Sequence, residues 1–201
     1  MAGQLGDRPV YGIQARGFDG SPLPGSFREL VLDYVKEILA VQTEGPFTLI
    51  GHSMGGPIAH AVAAELQRRG HEVPVIALLD AAPASWFTER GQVVSRAETR
   101  AALAGYLPGD ENDPGRTALV ENGATLATEH VRLVGHFTQP VYRGTALFFN
   151  ATDSPEAEAA FWDPYVDGDV RAYDIHATHI GLTSPEPAAE ICAVINRFLE
   201  A

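Results

Sequence analysis

Only one cysteine, Cys192, occurs in the 201 residues, so an internal disulfide is excluded and a reducing compartment such as the cytoplasm is expected. No apolar run approaches the roughly 20 residues a membrane-spanning helix needs. The opening Met1-Ala2-Gly3-Gln4-Leu5-Gly6-Asp7-Arg8 carries no apolar core of the kind a secretory leader requires. A basic excess is also missing. Lys and Arg total 14 against 26 Asp and Glu, a net charge of −12, which argues against a nucleic-acid partner. Walker loops, dinucleotide fingerprints and metal-ligand spacings are lacking, so neither cofactor nor metal is expected. There is no internal repeat and no low-complexity tract. What is present, 45% hydrophobic and 20% charged residues, is enough for one globular domain over 1–201 with a sizeable core.

Strand and helix signals alternate, which predicts a mostly parallel sheet covered by helices, an α/β class. Pro9-Val10-Tyr11-Gly12-Ile13 reads as a short strand, followed by a Gly/Pro-rich loop from Gly17 to Gly25. Ser26 and Glu29 form a capping-box pair. Behind them Phe27, Leu30, Val31, Tyr34, Val35, Ile38 and Leu39 recur at helical spacing. Phe47-Thr48-Leu49-Ile50 and Val75-Ile76-Ala77-Leu78-Leu79 are buried-strand patterns, separated by a helix that stops near Gly70. From 81 to about 140 no convincing strand occurs. Two helical stretches, Ser95–Leu107 and Arg116–Phe137, occupy it, and a connection of that length is usually functional. Strands resume at Thr145–Phe149 and Val170–Ile175, and Ser184-Pro185 opens a terminal helix.

Gly51-His52-Ser53-Met54-Gly55 lies between a strand and a helix, the setting of a nucleophile elbow. A sharp turn there requires small flanking residues and lifts the serine oxygen clear of the sheet. It also sets the Met54 N–H at a helix N-terminus, where it can hold a developing oxyanion. Ser53 is therefore the candidate nucleophile. A serine needs a base and the base needs an orienting carboxylate, in the chain order Ser…Asp…His for this kind of elbow. His179, in the loop after the last strand, is the candidate base. His176 sits nearer the strand and reads as a pocket or surface residue. Two aspartates compete for the third role: Asp80 ends the strand after the nucleophile helix, and Asp153 follows the next strand. Chain order does not separate them. His60 and Cys192 read as packed helix residues. Trp86, Phe87 and Trp162 are candidates for an acyl pocket, set against ordinary packing.

Three segments carry a family resemblance: Tyr11-Gly12-Ile13-Gln14-Ala15-Arg16-Gly17, Gly45-Pro46-Phe47-Thr48-Leu49-Ile50-Gly51-His52-Ser53-Met54-Gly55-Gly56, and Leu78-Leu79-Asp80. They resemble the C-terminal thioesterase domains of nonribosomal peptide synthetases, and the similarity extends over nearly the whole chain. It implies an α/β-hydrolase fold with a helical lid over about 81–140. It also implies Asp80 as the triad carboxylate, at the interval from Ser53 that the family leads one to expect. Thr178-His179-Ile180-Gly181-Leu182 matches the family's histidine segment. The implied activity is release of an acyl or peptidyl chain from the phosphopantetheine thioester of a carrier-protein partner, by hydrolysis or macrocyclisation.

Members of that family usually carry one more strand and a His-Pro/Gly-rich loop ahead of the first helix, and that loop provides a second oxyanion donor. The stretch before Tyr11 does not match it. The expectation is therefore an exposed sheet edge and weak turnover, since one such donor is worth about 10²–10³ in rate. Two other readings compete. One is a free-standing editing thioesterase, whose carboxylate often sits at the Asp153 position. The other is a non-catalytic carrier-binding module.

Overall fold

The computed structural model describes residues 3–90, 95–106 and 109–200. In chain order the elements are α1 (Phe27–Val41), β1 (Thr48–His52), α2 (Gly55–Arg68), β2 (Val75–Leu79), α3 (Ala84–Arg90), α4 (Arg96–Tyr106) and α5 (Pro114–Val134). After them come β3 (Tyr142–Arg143), β4 (Thr145–Ala151), a 3₁₀ turn over Ala159–Tyr165, β5 (Val166–Asp167), β6 (Val170–Ile175), a second 3₁₀ turn over Ile180–Thr183 and α6 (Pro185–Leu199). The main sheet is parallel throughout, in the order β1-β2-β4-β6. β3 and β5 form a separate two-residue parallel ladder. A parallel sheet flanked by helices, with three helices inserted between β2 and β4, is the α/β-hydrolase architecture that the sequence leads one to expect.

The sheet is covered on both faces, which explains the uninterrupted apolar run of β2. Side chains alternate along a strand. Val75, Ala77 and Leu79 accordingly join Ile191, Cys192 and Ile195 of α6, whereas Ile76 and Leu78 join Leu30 and Val35 of α1 and Val62 and Leu66 of α2. All five β2 residues are buried. Each large aliphatic side chain among them is worth about 1.5–3 kcal/mol of burial.

The capping box at α1 is present in altered form. Ser26 Oγ accepts from Glu29 N at 3.1 Å, but the Glu29 carboxylate reaches past Ser26 to accept from Gly25 N at 2.8 Å. Glu29 also takes Arg16 at 2.6 Å, and Arg16 contacts Asp33 at 2.7 Å, so the Gly/Pro-rich loop is tied to the first helix.

Several expectations are corrected. Pro9–Ile13 forms no strand, and Val10, Tyr11 and Ile13 are exposed. β-propensity is realised only against a pairing partner, and none of the six strands pairs with this segment. The residues before it dock on α6 instead: Leu5 is buried there, and Asn196 Nδ2 donates to Gln4 O at 3.0 Å. α5 begins earlier than Arg116. Asp113 caps it by accepting from Gly115 N at 2.9 Å, with Pro114 in the first turn. What reads as a break in the sequence is a helix start. α5 also ends at Val134, short of Phe137. The expected helix end at Leu107, and Pro108 after it, lie outside the described residues. α3 is a third helix in the stretch, entered through Pro83.

Candidate active site

Ser53, Asp80 and His179 all follow the C-terminal ends of parallel strands, where ligand sites of open α/β sheets lie. Ser53 has φ +52 and Asp80 φ +42, and among the described residues they are the only non-glycine positions with positive φ. Left-handed backbone at such a residue costs of order 1–3 kcal/mol and persists only where the surroundings enforce it. The ladders enforce it here. Ser53 N donates to Leu79 O at 3.0 Å and Asp80 N to Phe149 O at 2.8 Å, so each strained residue is still held by a carbonyl of the neighbouring strand.

The glycines around the turn divide the work unequally. A Cβ at Gly51 would run into the Gly55 carbonyl, and one at Gly56 into Ala81 Cβ. A Cβ at Gly55 would meet nothing within 4 Å. Smallness is thus required at Gly51 and at Gly56, the third glycine of the segment and a close-packing position as expected, whereas Gly55 of the five-residue pattern has room to spare.

Asp80 is buried, and its carboxylate accepts from Glu156 N at 3.2 Å and Ala157 N at 3.2 Å. His179 Nδ1 donates to Asp80 Oδ2 at 2.8 Å. A carboxylate oxygen accepts only, so Nδ1 carries the proton and Nε2 is the basic nitrogen. Burial pulls the His179 pKa down. The hydrogen bond to Asp80 and the charges of Glu156 and Asp80 outweigh that, leaving it above the ordinary 6.5. Nε2 lies 3.7 Å from Glu156 Oε2 and is not hydrogen-bonded to Ser53 Oγ. The Asp80–His179 hydrogen bond is formed, and a Ser53–His179 hydrogen bond is not.

The loop carrying His179 is also held through its backbone. His179 N donates to Ser154 Oγ at 2.9 Å, next to a parallel bridge between Ser154 and Thr178. His52 Nε2 lies 2.8 Å from the His179 carbonyl oxygen. Met54, between Ser53 and α2, has helical φ −56 and ψ −24, which sets its N–H at the N-terminus of a 14-residue helix.

A cavity of about 220 Å³ opens onto Ser53. Asp80 and Glu156 border it beside Ser53, and its other walls come from Met54, Ala82 and Ala157 and from three helices, with Trp86 and Phe87 of α3, Thr99 of α4, and Ala127 and Val131 of α5. The three helices between β2 and β4 thus roof the serine. Arg96 and Arg100 of α4 pair with Glu121 of α5. α5 is moored to the body where Asn122 Nδ2 donates to Phe18 O at 3.1 Å.

Trp86 and Phe87 line the cavity, and Trp162 does not. It is fully buried, and its Nε1 donates to Ala81 O at 2.7 Å. His60 is likewise structural. Its ring packs 5.0 Å from Trp162, its Nε2 donates to Tyr165 O at 2.9 Å, and its Nδ1 accepts from Gln139 at 2.7 Å. Burial holds its pKa down at about 4. Cys192 is buried against the sheet. Asp153 pairs with the exposed His176 at 2.6 Å, apart from the Asp80–His179 pair. Sequence reasoning missed Glu156, Ser154 and the hydrogen bond of His52. The available signal was the polar run Thr152-Asp153-Ser154-Pro155-Glu156 directly after a strand, a position where α/β sheets place site residues. Among the described residues no group of three or more His, Cys, Asp or Glu side chains is placed to hold a metal ion, and no helix is long and apolar enough to cross a membrane.

The family model described as thioesterase domain matches residues 1–199. Malpibaldin synthetase of Mortierella alpina is 33% identical over 96% of this chain, which corresponds to 4% of that protein. A dimodular nonribosomal peptide synthase of Bacillus subtilis is 33% identical over 96% of this chain and 9% of its own length. The chain therefore spans a small part of these relatives. Among solved structures, the RedJ thioesterase of the prodiginine pathway of Streptomyces coelicolor superposes with a TM-score of 0.73 at 21% identity, covering 97% of this chain and 77% of that one. The NocB thioesterase domain in covalent complex with a fluorophosphonate nocardicin G analogue gives 0.68 at 20% identity, with coverages of 92% and 80%.

Proposed function

Because the chain belongs to the thioesterase-domain family, we propose that it releases an acyl or peptidyl chain from the phosphopantetheine thioester of a carrier-protein partner, using Ser53, His179 and Asp80. The observation that carries this reading is the strained Ser53 at the floor of an apolar cavity beside a buried, hydrogen-bonded Asp80–His179 pair. Ser53 Oγ attacks the thioester carbonyl as its proton passes to His179 Nε2. The Met54 N–H stabilises the oxyanion. Collapse of the tetrahedral adduct breaks the C–S bond, and His179 returns the proton to the leaving thiolate. The acyl-serine ester is then opened by water, or by an amine or hydroxyl of the same chain, which closes a ring. Asp80 keeps the imidazole in the tautomer this sequence needs and stabilises the imidazolium.

An editing enzyme with its carboxylate at Asp153 is less well supported, since Asp153 has the exposed His176 as its partner. A non-catalytic carrier-binding module has no use for left-handed backbone that, among the described non-glycine residues, falls on Ser53 and Asp80 alone. The test is intact mass after exposure to a fluorophosphonate and, separately, to a synthetic acyl thioester. The wild type gains one adduct on Ser53 with each reagent, and Ser53→Ala gains none. Persistent labelling of a folded Ser53→Ala protein would exclude this nucleophile.

A further inference from the structure

The residue before the nucleophile closes a contact that the mechanism above does not use. His52 is the last residue of β1, held to Leu79 of β2 in the parallel register. Its side chain crosses to the base loop, where Nε2 lies 2.8 Å from the His179 carbonyl oxygen. Its ring lies 4.7 Å from the His179 ring at 34°. A carbonyl oxygen can only accept, so His52 Nε2 carries the proton and donates it. Burial is the largest influence on His52 and keeps its pKa below 6.5. A neutral ring suits a site whose neighbouring imidazole becomes cationic during turnover, because two stacked cations would repel.

We propose that His52 is a positioning residue for the general base: from the rigid end of β1 it fixes the His179 backbone, and with it the distance between His179 Nε2 and the oxygen of the adjacent Ser53. The need for such a device follows from where His179 sits. It precedes a four-residue 3₁₀ turn in a connection between β6 and α6, with no ladder of its own. Three hydrogen bonds from three segments hold it. Asp80 takes the ring Nδ1, Ser154 takes the backbone N–H, and His52 gives to the backbone carbonyl. Of the three, only His52 is covalently next to the nucleophile, so it alone ties base and nucleophile to one strand end. Reacting groups lose rate steeply with displacement, about 10²-fold for roughly 1 Å.

The inference rests on His179 acting as the base, and the experiment separates the two claims. His52→Ala, His52→Phe and His52→Gln are compared in fluorophosphonate labelling rate and in kcat and KM for a soluble acyl thioester. Gln retains an amide N–H that can reach the His179 carbonyl, while Phe retains a flat ring without a donor. The expected result is a loss of about 10–100-fold in labelling and kcat for Ala and Phe, with KM nearly unchanged because His52 does not line the cavity. Gln should lie within a few-fold of wild type. In a His179→Ala background the same three substitutions should change the residual rate by less than twofold. Wild-type activity in Phe with loss in Gln would overturn the proposal in favour of simple ring packing. So would losses of equal size with and without His179. If His52→Ala or His52→Phe does not fold, the imidazole ¹⁵N shifts of the wild-type protein decide: an Nε2–H tautomer of His52 supports the hydrogen bond, and an Nδ1–H tautomer overturns it. Unimpaired labelling in His179→Ala would instead remove the base assignment itself, whatever the His52 variants do.

Discussion

Replacing Asp80 by Asn tests the site at its most buried point. The Asp80 carboxylate has two jobs: it accepts from the backbone N–H groups of Glu156 and Ala157, and it accepts from His179 Nδ1 at 2.8 Å. Asn has one acceptor oxygen and one NH₂. Satisfying the two backbone donors uses the oxygen and turns the NH₂ toward His179. A donor facing Nδ1 selects the tautomer with the proton on Nε2, the nitrogen that must accept from Ser53. The base is lost without moving an atom of its ring. A comparable substitution in a serine-protease triad costs about 10⁴ in kcat, equivalent to about 5 kcal/mol of barrier. The same magnitude is expected for Asp80→Asn in single-turnover acylation by a soluble thioester. Asp153→Asn serves as the control. It removes only a contact to His176, whose side chain is 91% exposed, and even a charged surface pair is worth only about 0–1 kcal/mol, so acylation should stay within about twofold of wild type. Asp80 also helps raise the His179 pKa, and the base works only when neutral. The residual activity of Asp80→Asn should therefore persist to lower pH than that of the wild type. An Asp80→Asn protein that acylates within tenfold of wild type, beside a collapsed Asp153→Asn protein, would refute the assignment.

Two further outcomes follow from the packing. Gly56→Ala should destabilise the protein by about 1–3 kcal/mol through overlap with Ala81 Cβ, and Ala81→Gly should recover most of it. Gly55→Ala should leave the unfolding midpoint within error, and a large loss there would contradict the division of roles between the two glycines. Stability should also fall in acid because of His60. Its pKa is about 4 folded against 6.5 as the ordinary value, so the unfolded chain binds a proton that the native one refuses. Stability from this group is intact above about pH 6.5 and declines by about 3 kcal/mol as pH falls to about 4. Chemical denaturation at a series of pH values should show that slope in the wild type and not in His60→Gln. An unchanged slope in the variant would assign it elsewhere.

The features legible in the sequence are those set over a short range. The strand–turn–helix of the elbow, the apolar run of β2 and the helical periodicity of α1 depend on neighbours a few residues away. Their expected and observed bounds agree to within a few residues. The pairing of Ser26 with the Glu29 backbone was legible for the same reason. Legibility failed where an outcome depends on a partner distant in the chain. Pro9–Ile13 has strand-like residues and no strand beside it. Chain order left Asp80 and Asp153 equal and only the family resemblance favoured Asp80. The parallel ladder separates them physically, by seating Asp80 under the backbone N–H groups of Glu156 and Ala157, 2.8 Å from His179. Gly56 is legible as a close-packing glycine, but that Ala81 is what it packs against is not. Glu156 enters the site from a loop after β4, and His52 reaches across 127 positions of chain to the His179 carbonyl. By itself the sequence determined that a serine would stand on a strained turn between a strand and a helix, because local sterics decide that. Which carboxylate lies against His179, and that His52 reaches the His179 carbonyl, was decided only by the tertiary structure, because burial and hydrogen-bond distance are set by elements that meet across the sheet.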